Sequence, residues 1–385
     1  MSKKSRHRIL FIAHHGDLFF GGANLSLFHI IKRLDRSLYE PVVVCPSWAS
    51  LGEELECLGV EVEMVPMQPA GRVRGVPKLL VACVPAIRQL QRIMREREID
   101  LVHVNTSANI CGAIAARLLG LPVVWHVREM MWRRFIRWVI FRLVLTCSTK
   151  VICVSEAVKQ AVLAGAKVPD DKFSVIYNGV ELAEYDRPVD RQNTLTELGI
   201  SHDRIVVGTI GWLGPDKGID VFLEAAASVA ESMPETVFLI VGGGAWESDL
   251  KRLAHRLQLE DKTYFTGWRR DVVPLYQIMD LVVLPSRSEG FGKALIEGMA
   301  ARKPVVATRV GGIPEIVVDQ ETGILVPVDD PKALAEAILS LLQGQTRMVK
   351  LGEMGRRRVE QMFTWDMSVA KVEKVYAEVL GLDQI

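Results

Sequence analysis

The sequence has no long apolar run and almost no net charge. Among its 385 residues there is no stretch of about 18 uncharged apolar residues, and the apolar run after the basic first eight residues, 9–13, is too short for a signal-peptide core. Lys and Arg number 47 against 46 Asp and Glu, which provides no overall field for nucleic acid. We therefore expect a cytoplasmic protein that does not bind nucleic acid.

The sequence also lacks the patterns that bind metals or dinucleotides. Its six cysteines all lie in the first half without a C-x-x-C pair, and no histidines cluster at metal-ligand spacing. The first predicted strand is not followed by the G-x-G-x-x-G loop of a nicotinamide oxidoreductase. We expect no metal site, no cofactor, and reduced thiols buried in the core. The cysteines are Cys45, Cys57, Cys83, Cys111, Cys147 and Cys153.

What is present is the composition of a folded protein with more than one domain. Apolar residues make up 49% and charged residues 24%, which excludes wholesale disorder. At roughly 150 residues per domain, the length predicts two or three domains. Residues 1–190 carry 25 basic and 19 acidic side chains, a net +6, whereas residues 191–385 carry 22 and 27, a net −5. We expect the two halves to face different partners.

Short β-branched runs alternate with helical patterns along the chain. Such a pattern predicts an α/β fold with two doubly wound, Rossmann-like domains facing across a cleft. A polar, turn-rich stretch, 178–194, separates them, so we predict domains at 1–185 and 186–364. The final helical stretch, 365–385, is expected to pack back on the first domain. The predicted strands are residues 8–13, 41–45, 60–65, 101–105, 123–126, 151–154, 205–210, 236–241, 263–265, 281–284, 304–308 and 323–326.

The richest motif directly follows the predicted strand 281–284. Pro285-Ser-Arg-Ser leads into Glu289-Gly-Phe-Gly, and Glu297 comes eight residues after the first glutamate. Glycines permit close backbone approach, and a helix from about Phe291 would point its free N–H groups and positive dipole end at an anion. Eight helical residues rise about 12 Å, so the two carboxylates could bind sugar hydroxyls on either side of a diphosphate. This spacing suits a nucleotide sugar.

Lys217 lies in the glycine-rich loop after the predicted strand 205–210. A cation at the carboxyl end of a parallel strand could neutralise the charge on a departing diphosphate, as a metal ion does in other enzymes. No Asp-x-Asp motif in a convincing loop accompanies it. The sequence therefore predicts metal-independent chemistry.

With these motifs, the chain resembles family four of the retaining glycosyltransferases, which have the two-domain GT-B fold, across residues 8–380. The strongest likeness covers residues 205–328 and lies in Gly211-Trp-Leu-Gly with Lys217-Gly, Val241-Gly-Gly-Gly, Phe265-Thr-Gly, Glu289-Gly-Phe-Gly with Glu297, and Gly311-Gly-Ile-Pro-Glu. The first half matches more loosely, at Gly21-Gly-Ala, His126, Val154-Ser-Glu and Tyr177-Asn-Gly-Val.

The resemblance implies an enzyme that moves a sugar from a nucleotide-diphosphate donor to an acceptor hydroxyl with retention, in cell-surface glycan or glycolipid synthesis. The donor is a substrate, so no cofactor is implied. Residues 186–364 would bind it, with Lys217 at the diphosphate, Glu289 at the transferred sugar and Glu297 at the ribose. The donor-binding segment would also include Gly290, Phe291 and Gly292.

The resemblance further implies that residues 1–185 take the acceptor. His126 would lie near the sugar and the developing charge, and Gly21 with Gly22 would form a flexible loop on the acceptor side. By its residues alone, a lone histidine at the end of a buried strand, such as His126, is by default a core histidine with satisfied hydrogen bonds.

Two positions depart from the family pattern. Trp212 stands where the family commonly has an arginine that assists the lysine at the diphosphate. Lys293, Arg269 and Arg287 are the alternatives that could replace it. Asn24 stands where an acidic residue is frequent near the glycine loop, which leaves the acceptor contacts open.

One segment of the first half suits a membrane surface. Residues 132–145 form an apolar stripe at helical spacing, with four arginines and Trp138, Phe141 and Leu145 on the remaining surface. Arginine among exposed aromatics favours peripheral contact with an anionic membrane, on the inner face, and with a lipid-linked acceptor. A buried domain helix whose arginines pair with neighbours is the alternative.

Two other functions fit a two-domain fold of this kind. A nucleotide-sugar epimerase would need no acceptor, so product analysis with the donor alone separates it from a transferase. A non-catalytic binding protein would lack part of the set formed by Lys217, Glu289 and Glu297, and this chain has all three.

Overall fold

The structure is a computed structural model that describes residues 6–18, 22–67, 76–130 and 134–382, with the backbone alone at 76–82 and 134–137. The chain divides into two compact units. One comprises Met1–Asn178 together with Trp365–Ile385, and the other comprises Gly179–Thr364. Each unit is built on a single parallel sheet.

Most strands of the first unit are buried and apolar, as expected for a sheet covered on both faces, whereas the edge strand Glu61–Met64 is partly exposed. They are β1 (His7–Ile12), β2 (Tyr39–Cys45), β3 (Glu61–Met64), β4 (Leu101–Val104), β5 (Val123–Val127), β6 (Lys150–Cys153) and β7 (Phe173–Val175). Their order in the sheet is β3-β2-β1-β4-β5-β6-β7. The sequence predicts six of them. It misses β7, because Phe-Ser-Val is too short and too polar to stand out from its turns.

The helices of the first unit alternate with its strands. They are α1 (Gly22–Arg33), α2 (Ser50–Cys57), α3 (Val76–Glu96), α4 (Ile110–Leu118), α5 (Arg134–Cys147) and α6 (Glu156–Leu163). On α2, Leu51 and Leu55 face the core, and this spacing places Cys57 on the solvent side. Cys147 is partly exposed as well. The expectation that all six cysteines are buried was therefore wrong for these two.

The second unit contains all six strands that the sequence predicts there. They are β8 (Ile205–Ile210), β9 (Thr236–Val241), β10 (Thr263–Gly267), β11 (Leu281–Leu284), β12 (Val305–Thr308) and β13 (Ile324–Val326). Their order is β10-β9-β8-β11-β12-β13. The helices are α7 (Leu182–Tyr185), α8 (Arg191–Glu197), α9 (Ile219–Ser232), α10 (Glu247–Arg256), α11 (Val272–Ile278), α12 (Lys293–Ala300), α13 (Ile313–Ile316), α14 (Pro331–Leu342) and α15 (Gln345–Met362).

The last helix, α16 (Trp365–Leu380), belongs to the first unit. Its Tyr376 is fully buried, packs edge-on against Phe11 and Tyr39, and shares a 2.7 Å hydrogen bond with Nδ1 of His103. The C-terminal segment is therefore part of the first hydrophobic core. In the described part of the chain, none of the helices combines the length and apolar character needed to cross a membrane.

The strand order fixes where ligands can bind. In each sheet the direction of winding reverses at one place, between β1 and β4 in the first unit and between β8 and β11 in the second. Open parallel sheets bind ligands outside the carboxyl ends of the strands at such a reversal. The loops after β8 and β11 are therefore the candidate site of the second unit, and those after β1 and β4 the candidate site of the first.

Candidate functional site

Lys217 lies in the loop after β8, in a 3₁₀ turn, Pro215–Lys217, that leads into α9. Gly218 follows it at φ 63°, the left-handed region that favours glycine. A Cβ atom there would lie 2.1 Å from the backbone oxygen of Pro285, so the loop packs directly on the end of β11. This close contact fixes the lysine beside the motif that follows β11.

Lys217 and Glu289, 72 residues apart in sequence, form an ion pair. Nζ donates to Oε2 at 2.7 Å, and the side chains are 21% and 15% exposed. Ser286 Oγ lies 3.4 Å from the same carboxylate oxygen. Burial acts to lower the pKa of Lys217, but the adjacent Glu289 carboxylate outweighs it and holds that pKa above its usual value. The site therefore carries a charged ammonium that is positioned and still reachable from solvent.

The loop after β12 holds the backbone of Glu289. The N–H of Gly312 donates to the Glu289 backbone oxygen at 3.1 Å. Gly311 has φ 53°, and a Cβ atom at this position would lie only 1.9 Å from the same oxygen. These two glycines therefore pack against the backbone of Glu289 and leave room for it.

The helix after this motif starts later than the sequence predicts. α12 begins at Lys293, not at Phe291, since Gly292 at φ 107° has a conformation that ends any preceding helical turn. Glu289 therefore lies in the loop, and only part of its separation from Glu297 is helical. The predicted rise of about 12 Å over eight helical residues was wrong for this reason.

Glu297 is 7% exposed and both of its carboxylate oxygens have partners. Tyr276 donates its hydroxyl to Oε2 at 2.9 Å, and Lys293 forms an ion pair with Oε1. Burial, and then the charge of Glu297, raise the pKa values of Tyr276 and Tyr185 well above the usual range. Both phenols therefore stay neutral, and Tyr276 remains a hydrogen-bond donor. A further hydroxyl at Glu297 would share or displace one of these partners.

Each candidate for the arginine missing at Trp212 is already paired. Arg287 donates to both carboxylate oxygens of Asp220 at 2.8 Å and also pairs with Asp329. Arg269 pairs with Asp271 and Glu197, and Lys293 with Glu297. Trp212 itself is exposed. Among these residues, none offers an unengaged charge.

His126 and Gly22 lie at the carboxyl edge of the sheet of the first unit. His126 is in β5 and is almost fully buried; its Nδ1 lies 3.1 Å from Nη2 of Arg128, and its Nε2 has no hydrogen-bond partner. Burial, and then Arg128 and His103, hold the pKa of His126 well below its usual value, so the ring is neutral. Gly22 is the exposed first residue of α1. Gly21 lies outside the described residues.

The buried Asn24 stands where an acidic residue is frequent, and its side chain forms hydrogen bonds within the first unit. Its Nδ2 donates to the backbone oxygens of His15 and Asp17 at 2.9 and 2.7 Å. Sequence reasoning missed Arg128 and Tyr276, and it gave no role to Ser286, which it placed in the motif after β11. A polar residue just beyond an apolar strand was the available signal for Arg128.

The segment 132–145 matches its prediction only in part. Trp138 is exposed, and the Arg142 guanidinium lies 5.7 Å from the centre of its ring. Phe141, predicted on the outer surface, is instead buried with Ile140 and Val144. The core-facing side of α5 is rotated from the predicted stripe. Residues 132 and 133, and the side chains of 134–137, lie outside the description.

Comparison with known proteins finds a match to a glycosyltransferase family in both units. Residues 20–184 match the family model described as Glycosyltransferase Family 4, and residues 190–358 match the one described as Glycosyl transferases group 1. An uncharacterized glycosyltransferase of Methanocaldococcus jannaschii is 28% identical over 94% of this chain and 95% of its own. The UDP-Gal:alpha-D-GlcNAc-diphosphoundecaprenol alpha-1,3-galactosyltransferase of Escherichia coli is 27% identical over 78% of this chain and 81% of its own.

A solved structure agrees over almost the full length. The crystal structure of HepE from Anabaena in complex with UDP and glucose superimposes with a TM-score of 0.84. It is 26% identical and covers 96% of this chain and 99% of its own.

Proposed function

Because the chain belongs to the group 1, family 4 glycosyltransferases and has their GT-B fold, we propose that it transfers a sugar from a nucleotide-diphosphate donor to an acceptor hydroxyl with retention of configuration. The observation that carries the proposal is the 2.7 Å contact between Lys217 and Glu289 at the winding reversal of the second sheet. A fixed cation and a fixed carboxylate at this edge match the two chemistries of the donor, an anionic diphosphate and a hydroxyl-rich sugar.

Within the second unit, each residue has a distinct proposed task. Lys217 binds the diphosphate and stabilises the charge that grows on it as the sugar leaves. Glu289 accepts hydrogen bonds from the transferred sugar, and Glu297 binds the ribose, sharing its oxygens with Tyr276 and Lys293. The backbone N–H groups of residues 290–292 face the diphosphate. Since Lys217 takes the part that a metal ion plays in other transferases, we propose metal-independent transfer.

Retention requires the acceptor to attack from the face that the diphosphate leaves. In the proposed reaction the leaving phosphate oxygen takes the proton of the acceptor hydroxyl, the anomeric carbon–oxygen bond to the diphosphate breaks, and the new glycosidic bond forms on the same face. Glu289 is engaged by Lys217, so we give it a binding role and assign no covalent nucleophile.

The acceptor side belongs to the first unit in this proposal. His126 would act there as a neutral group near the sugar, and Gly22 as part of the acceptor loop. The E. coli relative acts on a diphosphoundecaprenol-linked sugar, and HepE was solved with UDP and glucose. We therefore propose a UDP-hexose donor, a lipid-linked acceptor and a place in cell-surface glycan or glycolipid synthesis. Exposed Trp138 beside Arg142 supports contact with a membrane surface.

A thermal-shift panel tests the donor proposal. UDP-, GDP-, ADP- and TDP-sugars are compared, each with its nucleoside as control and with and without EDTA. A ligand that binds only the folded state stabilises it by about 2.7 kcal/mol at about 100 times its Kd, so one nucleotide sugar should raise Tm clearly and equally with EDTA. If no nucleotide sugar shifts Tm more than its nucleoside does, the chain has no diphosphate site and the proposal fails.

A further inference from the structure

Arg128, directly after β5, is held by side chains from three places in the first unit. Its Nε donates to Oδ1 of Asn105 at 2.8 Å, its Nη1 donates to Oδ1 of Asn178 at 2.7 Å, and its Nη2 lies 3.1 Å from Nδ1 of His126. These partners follow β4, follow β7 and lie in β5. The guanidinium is thus fixed across the carboxyl edge of the sheet.

All of these partners are neutral. In the described part of the chain no carboxylate forms an ion pair with Arg128. The nearest acid in sequence, Glu129, instead accepts from the backbone N–H and hydroxyl of Ser107 at 2.9 and 2.6 Å, and from the backbone N–H of Arg128 at 3.1 Å. Burying a charge without a counter-ion is costly, so such an arrangement needs a reason.

Arg287 and Arg356, which are also withdrawn from solvent, are arranged differently. Arg287 pairs with two aspartates, and Arg356 with Asp186 and Glu360. The carboxylates raise the pKa of Arg287 and Arg356 above the usual value. Burial lowers the pKa of Arg128 to about 9. Neutral acceptors orient this guanidinium, and the nearby Glu129 carboxylate offsets only part of the effect of burial, so an anionic ligand would stabilise its charge further.

We propose that Arg128 is an anion-binding residue that holds a phosphate group of a substrate at the carboxyl edge of the first sheet. The location supports this, because Asn105 follows β4 at the winding reversal, and its Nδ2 also donates at 2.9 Å to the backbone oxygen of Ala23 in the first turn of α1. The site also goes beyond the proposed function, which assigns the diphosphate to Lys217. The phosphate comes either from the donor or from a phosphorylated acceptor.

Calorimetric titration distinguishes the two sources. UDP, uridine and inorganic pyrophosphate are titrated into the wild type, Arg128→Gln and, as control, Arg92→Gln, which removes an exposed pair with Glu96. A donor phosphate predicts that Arg128→Gln binds UDP at least about tenfold more weakly and uridine unchanged. If the phosphate belongs to the acceptor, Arg128→Gln should bind UDP as the wild type does. It should also lose a pyrophosphate site that the wild type retains when it is saturated with UDP. Equal binding of UDP and pyrophosphate by wild type and Arg128→Gln overturns the proposal.

If Arg128→Gln does not fold, a second measurement on the wild type still tests the proposal. The Nε–H resonance of Arg128, assigned by its loss in Arg128→Lys, must shift when pyrophosphate saturates the wild type; an unchanged resonance at saturation overturns the proposal. The test is independent of the donor assignment. If the wild type fails to bind UDP, the proposed UDP-sugar donor is wrong, while the pyrophosphate titration of wild type against Arg128→Gln still decides the role of Arg128.

Discussion

Replacing Lys217 with alanine should lower the turnover of sugar transfer on the order of 100-fold or more. The ammonium is fixed in advance by Gly218 packing on Pro285 and by the 2.7 Å contact with Glu289. A preorganised charge of this kind stabilises the growing charge of a leaving group without reorganisation, and removing one such group costs about 100- to 1,000-fold. The variant also leaves the Glu289 carboxylate without its partner and facing the diphosphate, which adds repulsion. The measurement is kcat and KM for the donor.

The second unit contains a matched control pair. Lys251 and Glu247 on α10 are also 2.7 Å apart, but they lie one helical turn apart on the surface. Exposed pairs of this kind contribute only about 0.3–0.5 kcal/mol, so Lys251→Ala should leave kcat unchanged. Lys217→Arg keeps the charge and should lose less activity than the alanine variant. Wild-type turnover in Lys217→Ala would remove this residue from the reaction.

Replacing Glu289 with alanine should reduce transfer by about 1,000-fold or more while the protein stays folded. The carboxylate both orients the sugar and positions Lys217, so two interactions are lost together. The fold should survive because the loop after β12 contacts the backbone of Glu289, through the N–H of Gly312 at 3.1 Å, and not its side chain. Activity is measured with the donor identified by the nucleotide panel, and folding by circular dichroism.

Two comparisons sharpen this prediction. Glu247→Ala removes the acidic partner of the control pair and should retain full activity. Glu289→Gln keeps a hydrogen-bond acceptor but loses the charge that positions Lys217, so its turnover should fall between those of the wild type and the alanine variant. If Glu289→Ala transfers sugar at the wild-type rate, the sugar-binding role belongs to another residue.

Topology explains why the sequence points to both residues of the main contact of the site. Lys217 and Glu289 each follow a strongly apolar strand, and the carboxyl ends of parallel strands share one edge of the sheet. Their proximity follows once β8 and β11 are neighbours. Short β-branched runs predict twelve of the thirteen described strands, so most of the fold was predictable. The short strand β7 was not.

The other features of the two sites depend on contacts between distant segments, which no local sequence pattern predicts. Gly311 and the backbone of Glu289, which it contacts, lie in loops after different strands. Only the structure shows why glycine is needed there, because a Cβ atom at position 311 would lie 1.9 Å from the Glu289 backbone oxygen. The fork of Arg128 joins Asn105, His126 and Asn178, which are far apart in sequence. Helical periodicity gives only the approximate direction of a face, so a modest rotation of α5 moves Phe141 from the surface into the core.

The most direct test of the central claim is a crystal structure of the protein with a bound UDP-sugar. We expect the diphosphate within hydrogen-bond distance of Lys217 Nζ and a sugar hydroxyl donating to the carboxylate of Glu289. A nucleotide bound elsewhere, with the contact between Lys217 and Glu289 unchanged at 2.7 Å, would contradict the account.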